Sequence, residues 1–316
     1  MKAVTVETDG VLAIREHPDP EPGVGEVLVR IRAAGLNFAD LAQRLGRYPA
    51  PPGSPPDIPG IELAGEVAAA GPLAARFSVG DRVMGVVGGG GQAELLPVHE
   101  RQLMPVPGSL TWEQAGGFPE AFVTAHDALA TQAGVRPGDR VLVNGAAGGV
   151  GVAGVQIAAA AGAEVIASAR NPGHRSALLG LGAAKAIDPS EEEANGPYDV
   201  VLELVGGSNF EADLRSLNPG GRIVLIGVAS LVTDARLDLV LLGQKRATVR
   251  GTMLRPRPLE GKADAARAVE REVLPFVASG KITVPITATY PLDEAAAAYD
   301  AFAGGGKLGK IVLLVS

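Results

Sequence analysis

The sequence predicts an α/β chain of two domains, in which a doubly wound parallel sheet is inserted into a β-rich domain completed by the C-terminus. Three observations carry this expectation. A strand runs through a glycine turn into a helix at Val141-Leu-Val-Asn-Gly-Ala-Ala-Gly-Gly-Val-Gly151. Short β-branched runs then alternate with helix-length stretches, the rhythm of a parallel sheet covered on both faces. Strand-like character stands both before and after that block. At 316 residues two domains are expected, each large enough for its own core. They are placed at 1–118 with 256–316, and at 119–255.

The elements follow in chain order from apolar runs bounded by glycine, proline or acidic turns. Residues 1–7, 26–32, 61–69 and 81–87 read as strands, separated by loops rich in proline and glycine around 48–60 and 88–91. In the middle block strands are expected at 141–144, 164–168, 184–187, 199–204, 222–227 and 248–253, with helices at 149–161 and 174–181 between them. A helix at 292–303, favoured at its start by Asp293 and Glu294, precedes a last strand at 310–315. The right-handed crossover rule turns the alternating block into the doubly wound arrangement.

The turn at Ala146-x-Gly148-x-x-Gly151 then acquires chemical meaning. Gly148 lets backbone approach a phosphate, Gly151 lets helix pack on strand, and the helix N-terminus offers free N–H groups and a partial positive charge. This is the dinucleotide turn of a Rossmann domain, with alanine in place of the usual first glycine. The 18 residues 146–163 carry no charge, but they are mostly alanine and glycine, which gain little in lipid, so a helix buried on the sheet is expected rather than a membrane span.

Composition narrows the partners. A net charge of -7 with no basic cluster excludes a nucleic-acid surface and leaves small molecules. The chain contains no cysteine, so disulfides and thiolate metal sites are absent. Residues 1–7 show no signal-peptide pattern, and the expectation is cytoplasmic.

The order Glu26-Val-Leu-Val, Ala34-Gly-Leu-Asn37-Phe-Ala-Asp40, Pro59-Gly60-Ile-Glu62, Gly65-Glu-Val67, Gly80-Asp81-Arg82-Val83, the turn at 143–151 and Gly309-Lys310-Ile-Val-Leu resembles the medium-chain dehydrogenase/reductases over essentially the whole chain. Within them it is similar to the zinc-independent quinone oxidoreductases. It looks nearest the tumour-suppressor-induced quinone oxidoreductase subgroup, through Asn37–Pro49, Gly89-Gly-Gly-Gln92-Ala, Phe118-Pro-Glu-Ala and Leu254-Arg-Pro-Arg257. The resemblance implies a GroES-like β-rich catalytic domain around the Rossmann domain, and a homodimer formed by edge pairing near 248–253.

Against the zinc-dependent relatives, Asn37 stands where they carry a cysteine and Ile61 where they carry a histidine. Neither an amide nor an aliphatic side chain replaces such a ligand. His17, His99, His126 and His174 show no ligand spacing. Without a Lewis acid, simple ketones and alcohols are poor substrates, whereas quinones and conjugated enones accept hydride readily.

The resemblance also implies site residues. Tyr48 and Asn37 are expected as pocket donors, Asn37 also beside the nicotinamide, and Gln92 as a side chain facing the pocket. Thr124, Gly148, Gly149, Val150, Val205, Gly227 and Lys310 are expected around the cofactor. Ser168-Ala-Arg170 and Arg175 stand where an NAD enzyme has an acidic residue, so NADPH is the expected cofactor, with Arg170 and then Arg175 toward its 2′-phosphate. The expected activity is NADPH-dependent quinone reduction. The alternatives are enone or alkenal reduction, and nucleotide binding without turnover.

Overall fold

The computed structural model describes residues 1–227, 232 and 234–316. The chain divides into two compact units, Met1–Val123 with Leu254–Ser316, and Thr124–Met253.

The first unit is built on a seven-stranded sheet. Its path runs Ile286–Pro291, Lys310–Leu314, Glu26–Gly35, Glu62–Ala70, Arg82–Val86, Leu103–Pro105, and Leu95–His99 pairs with Glu26–Gly35 off that path. Only the first pair is parallel. Alternation along Glu26–Gly35 sends Val27, Val29 and Ile31 into a core shared with Leu63, Val67, Val83, Ile311 and Leu313. Tyr299, on helix Ala295–Ala303, closes that core with no exposed surface. A hairpin of Lys2–Val6 and Leu12–Glu16 forms a separate two-stranded sheet whose Val4 joins the same core.

Among the elements that sequence reasoning missed here, four show why. Helix Phe38–Arg44 begins at a capping box between Asn37 and Asp40. Helix Leu259–Glu272 buries only Ala263, Ala266 and Val269, so its apolar stripe is too small to stand out from its charges. Ile286–Pro291 alternates half-buried and exposed residues along its whole length. Leu12–Glu16 contains no buried residue.

The second unit is a six-stranded parallel sheet in the order Lys185–Ile187, Glu164–Ser168, Arg140–Val143, Tyr198–Glu203, Leu217–Leu225, Thr248–Gly251. From Arg140–Val143 the chain winds outward in one direction, then returns to wind outward in the other. That reversal is the switch point at which doubly wound sheets bind ligands. The fifth strand starts earlier than expected because the pairing register jumps between Tyr198 and Val200, which places the turn-like Asn218-Pro-Gly-Gly221 within it. Helices occur at Gly149–Ala160 and Arg175–Gly180, within a residue or two of expectation.

Candidate functional site: a phosphate turn and a metal-free polar cluster

In the second unit, strand Arg140–Val143 passes through 144–148 into helix Gly149–Ala160. Gly145, not Ala146, takes the left-handed backbone of this turn, with φ of 71°. That is why alanine is tolerated in the fingerprint. A Cβ on Gly151 would lie 2.4 Å from the Gly145 carbonyl oxygen and 2.6 Å from the Ala146 Cα, so only glycine allows the helix this close. Gly148 is the N-cap without a side-chain cap, and no acidic residue lies in the first turn. A Cβ on Gly148 would find only the Gly145 oxygen, at 3.5 Å, so space lies open before the first-turn N–H groups. These features fit a dinucleotide pyrophosphate beside Gly148, Gly149 and Val150.

Ser168, Val205 and Gly227 stand at or just beyond the carboxyl ends of three strands of the parallel sheet. Thr124 is buried on helix Pro119–His126. Two sequence expectations are corrected here. The local sequence places no carboxylate near Ser168, yet the fold brings one: Ser168 Oγ donates to Glu192, which is 7% exposed and whose carboxyl burial pushes up to about 7. Glu192 arrives from the turns after the neighbouring strand Lys185–Ile187, out of reach of a local pattern. Arg175 is committed to protein, with Nη2 donating to Asp188 at 2.6 Å and Nε to the Ala169 carbonyl at 3.3 Å. Arg170 is exposed and makes no ion pair among the described residues.

The same strand ends hold an acidic cluster that sequence reasoning missed. Asn144 Nδ2 donates to Glu203 at 2.6 Å and to Asp213 at 2.9 Å, all three being buried. Glu203 also receives the N–H groups of Val205 and Gly206 and the Asn209 amide, and so shapes the turn after its strand. Among the described residues Asp213 receives only Asn144, and burial followed by the Glu203 charge pushes its carboxyl up to about 9.

In the first unit, Asn37, Glu62 and Lys310 form a closed polar cluster. The Lys310 ammonium, 4% exposed, lies 2.6 Å from Glu62 Oε1 and donates to the Leu36 carbonyl at 2.8 Å and to Asn37 Oδ1 at 2.7 Å. Asn37 Nδ2 donates to Glu62 at 2.8 Å and to the Gly35 carbonyl at 3.3 Å, and Glu62 Oε2 accepts the Glu120 N–H at 2.8 Å. Every hydrogen of the ammonium and of the amide is thus used. Lys310 has none left for a cofactor and Asn37 none for a substrate oxygen, and both expectations are corrected accordingly. Removing one partner of such a buried pair typically costs about 3–5 kcal/mol.

Zinc does not fit these residues. Asn37 is saturated, Ile61 is aliphatic and 2% exposed, and the ammonium already places a positive charge against Glu62. Among the described residues no group of three or more His, Cys, Asp or Glu could hold a metal ion.

Asp40 is fully buried and accepts the N–H groups of Asn37 at 2.8 Å and Gly60 at 3.1 Å; burial pushes its carboxyl up to about 6. Its role is structural. Gln92 does not face a pocket: it is fully buried, and its Oε1 accepts the Tyr299 hydroxyl at 2.9 Å. Tyr48 is half-buried, and its hydroxyl has no hydrogen-bond partner among the described residues. The Arg255 guanidinium lies 4.9 Å from its ring centroid. Arg255 is a further residue that sequence reasoning missed; it sits within a motif used only for the resemblance.

Comparison with known proteins supplies the context. Residues 23–108 match the alcohol dehydrogenase GroES-like domain and residues 181–313 the zinc-binding dehydrogenase family. A mycocerosic acid synthase-like polyketide synthase of Mycobacterium tuberculosis is 33% identical over 92% of this chain, which spans only 14% of that protein. An alcohol dehydrogenase superfamily protein from Novosphingobium aromaticivorans has a crystal structure that matches with a TM-score of 0.90 and 33% identity, over 100% of both chains. The CurK enoyl reductase structure matches with a TM-score of 0.85 and 27% identity, over 100% of this chain and 99% of that one. Among the described residues no helix is long and apolar enough to cross a membrane. Full-length agreement in both sequence and fold, on two units carrying the family's two domain models, places the chain in the alcohol dehydrogenase superfamily, the medium-chain dehydrogenase/reductases.

Proposed function

We propose that the chain is a zinc-independent, NADPH-dependent reductase of conjugated carbonyl acceptors, enones and quinones, akin to the quinone oxidoreductases of the superfamily. The observation that carries this reading is the closed cluster of Asn37, Glu62 and Lys310, which replaces the metal's ligands with a self-neutralised ion pair. Without a Lewis acid the acceptor must itself be electron-poor. Quinones and enones meet that need, since hydride adds at carbon and charge develops on an oxygen that a neutral donor can stabilise.

A bound reduced nicotinamide supplies the hydride. The turn at Gly148, Gly149 and Val150 holds its pyrophosphate, and the exposed Arg170 pairs with the 2′-phosphate. Tyr48, the residue of the expected donor pair whose hydrogen is uncommitted, donates to the developing oxyanion. Asn37 anchors the loop instead. The enone half of the reading gains support from the CurK enoyl reductase and the polyketide synthase relative.

The test is NADPH consumption by the purified protein against naphthoquinones, benzoquinones, alkenals and acyl thioesters with a conjugated double bond. Turnover is expected with conjugated acceptors and none with simple ketones or alcohols. Absence of NADPH oxidation with every acceptor would favour nucleotide binding without turnover, and zinc-stimulated alcohol oxidation would overturn the reading.

A further inference from the structure

Tyr48 occupies a stretch that cannot secure itself. It follows helix Phe38–Arg44 in irregular backbone, and Pro49, Pro51 and Pro52 beyond it have no N–H to donate. The main-chain bonds on either side are Arg47 N–H to the Ala42 carbonyl and Ser54 N–H to the Pro51 carbonyl. What holds Tyr48 comes from more than 200 residues away.

Arg255 is 3% exposed and spreads its fork over three segments. Its Nε donates to the Gly88 carbonyl at 2.8 Å, Nη1 to the Tyr48 carbonyl at 3.0 Å, and Nη2 to Gln43 Oε1. Gln43 in turn donates through Nε2 to the Pro56 carbonyl at 3.3 Å. Gly88 packs tightly on the same loop, since a Cβ there would lie 2.1 Å from Ser54 Oγ. Both ends of the stretch are therefore tied to one guanidinium, directly at Tyr48 and through Gln43 at Pro56.

The three acceptors are two carbonyls and an amide. Among the described residues no carboxylate touches the guanidinium, so its charge is not neutralised by contact and reaches the Tyr48 ring, 4.9 Å away. Lysine cannot replace this arrangement, because a point charge has no planar fork to bridge three segments.

We infer that Arg255 is a positioning residue for Tyr48, gripping its backbone and ring together and presenting a positive charge to the phenol. The inference rests on the reading of Tyr48 as the donor. In that step hydride brings two electrons and one hydrogen to the acceptor carbon, the phenol O–H bond breaks, and its proton passes to the acceptor oxygen. The phenolate left beside Arg255 regains a proton from water. Burial raises the phenol above its ordinary value, Glu120 adds to that rise, and Arg255 draws it down. The charges of Glu120 and Arg255 also act on Lys262, whose ammonium burial draws down.

The test uses full-length protein labelled with 3-fluorotyrosine. The chain has four tyrosines, and the Tyr48 ¹⁹F line is assigned by its loss in Tyr48→Phe. In Arg255→Met the Tyr48 line is expected to move and broaden while the others stay. The kcat for a conjugated acceptor should fall about ten- to a hundred-fold with KM for NADPH unchanged, the size of effect that misplacing a reacting group produces. Arg255→Lys should recover part of the kcat by restoring charge, with the Tyr48 line still displaced. An unmoved Tyr48 line in either folded variant, or displacement of all the lines together, overturns the inference, and Arg255→Lys alone decides if Arg255→Met does not fold. If Tyr48→Phe retains full kcat while Arg255→Met still displaces the Tyr48 line, the donor reading fails and the positioning stands.

Discussion

Arg170 and Arg175 leave the same strand end and meet different fates. Arg175 folds back onto Asp188 and the Ala169 carbonyl, whereas Arg170 stays in solvent with no protein partner among the described residues. Only an uncommitted guanidinium can give a phosphate a new charge-assisted hydrogen bond, and such a bond contributes about 1.5–3 kcal/mol. Arg170→Ala is therefore expected to weaken NADPH binding about ten- to a hundred-fold and leave NADH nearly unchanged. Isothermal titration with the two cofactors checks this, and an equal loss of both removes Arg170 from the 2′-phosphate. At this scale the sequence was legible where the chemistry is local. The glycine turn can be read letter by letter because strand, phosphate and helix meet within eleven residues. The Glu192 carboxylate meets Ser168 across 24 residues and Arg255 meets Tyr48 across 207, and no local pattern announces either.

Among elements, those buried on both sides were the readable ones. Glu164–Ser168 was anticipated to the residue because its run of apolar side chains is packed on both faces of a parallel sheet. Leu259–Glu272 was lost because alanine supplies most of its buried stripe, and alanine marks a face only weakly. Parallel strand ends have a further property in this chain: they gather Asn144, Glu203 and Asp213, with no ion pair to either carboxylate among the described residues. Because the folded Asp213 carboxyl, at about 9, lies above its ordinary 3.8, the folded state binds a proton that the unfolded state releases. Its slope is then negative: stability falls as pH rises between those two values. An asparagine mimics the protonated acid, keeps an oxygen for the Asn144 amide, and does not titrate. Asp213→Asn is expected to raise Tm, by more at about pH 8 than at about pH 5. A gap that is the same at both pH values, by scanning calorimetry, would show that the carboxyl is ionised in the fold.

For the molecule as a whole, the sheet of the second unit ends in an open edge. Among the described residues Thr248–Gly251 pairs only with Leu217–Leu225, and Thr248, Arg250 and Gly251 are exposed. Leu239, Val240 and Met253 in the same region are also exposed, at 71%, 70% and 59%. An unprotected edge flanked by apolar side chains favours pairing with an identical strand. We propose a two-fold dimer through this edge, so light scattering at micromolar concentration should return twice the chain mass. A monomer under those conditions would refute it.

The interrupted first unit also imposes an order on biosynthesis. Lys310–Leu314 enters the interior of the seven-stranded sheet, between Ile286–Pro291 and Glu26–Gly35, and it carries the ammonium that touches Glu62. A nascent chain that has left the ribosome as far as Met253 can complete its parallel sheet, while the first unit still lacks two strands and the counter-charge of a carboxylate destined for burial. The inserted unit is thus free to fold co-translationally, and the first unit must wait, with Glu62 hydrated, until Lys310–Leu314 has left the ribosome.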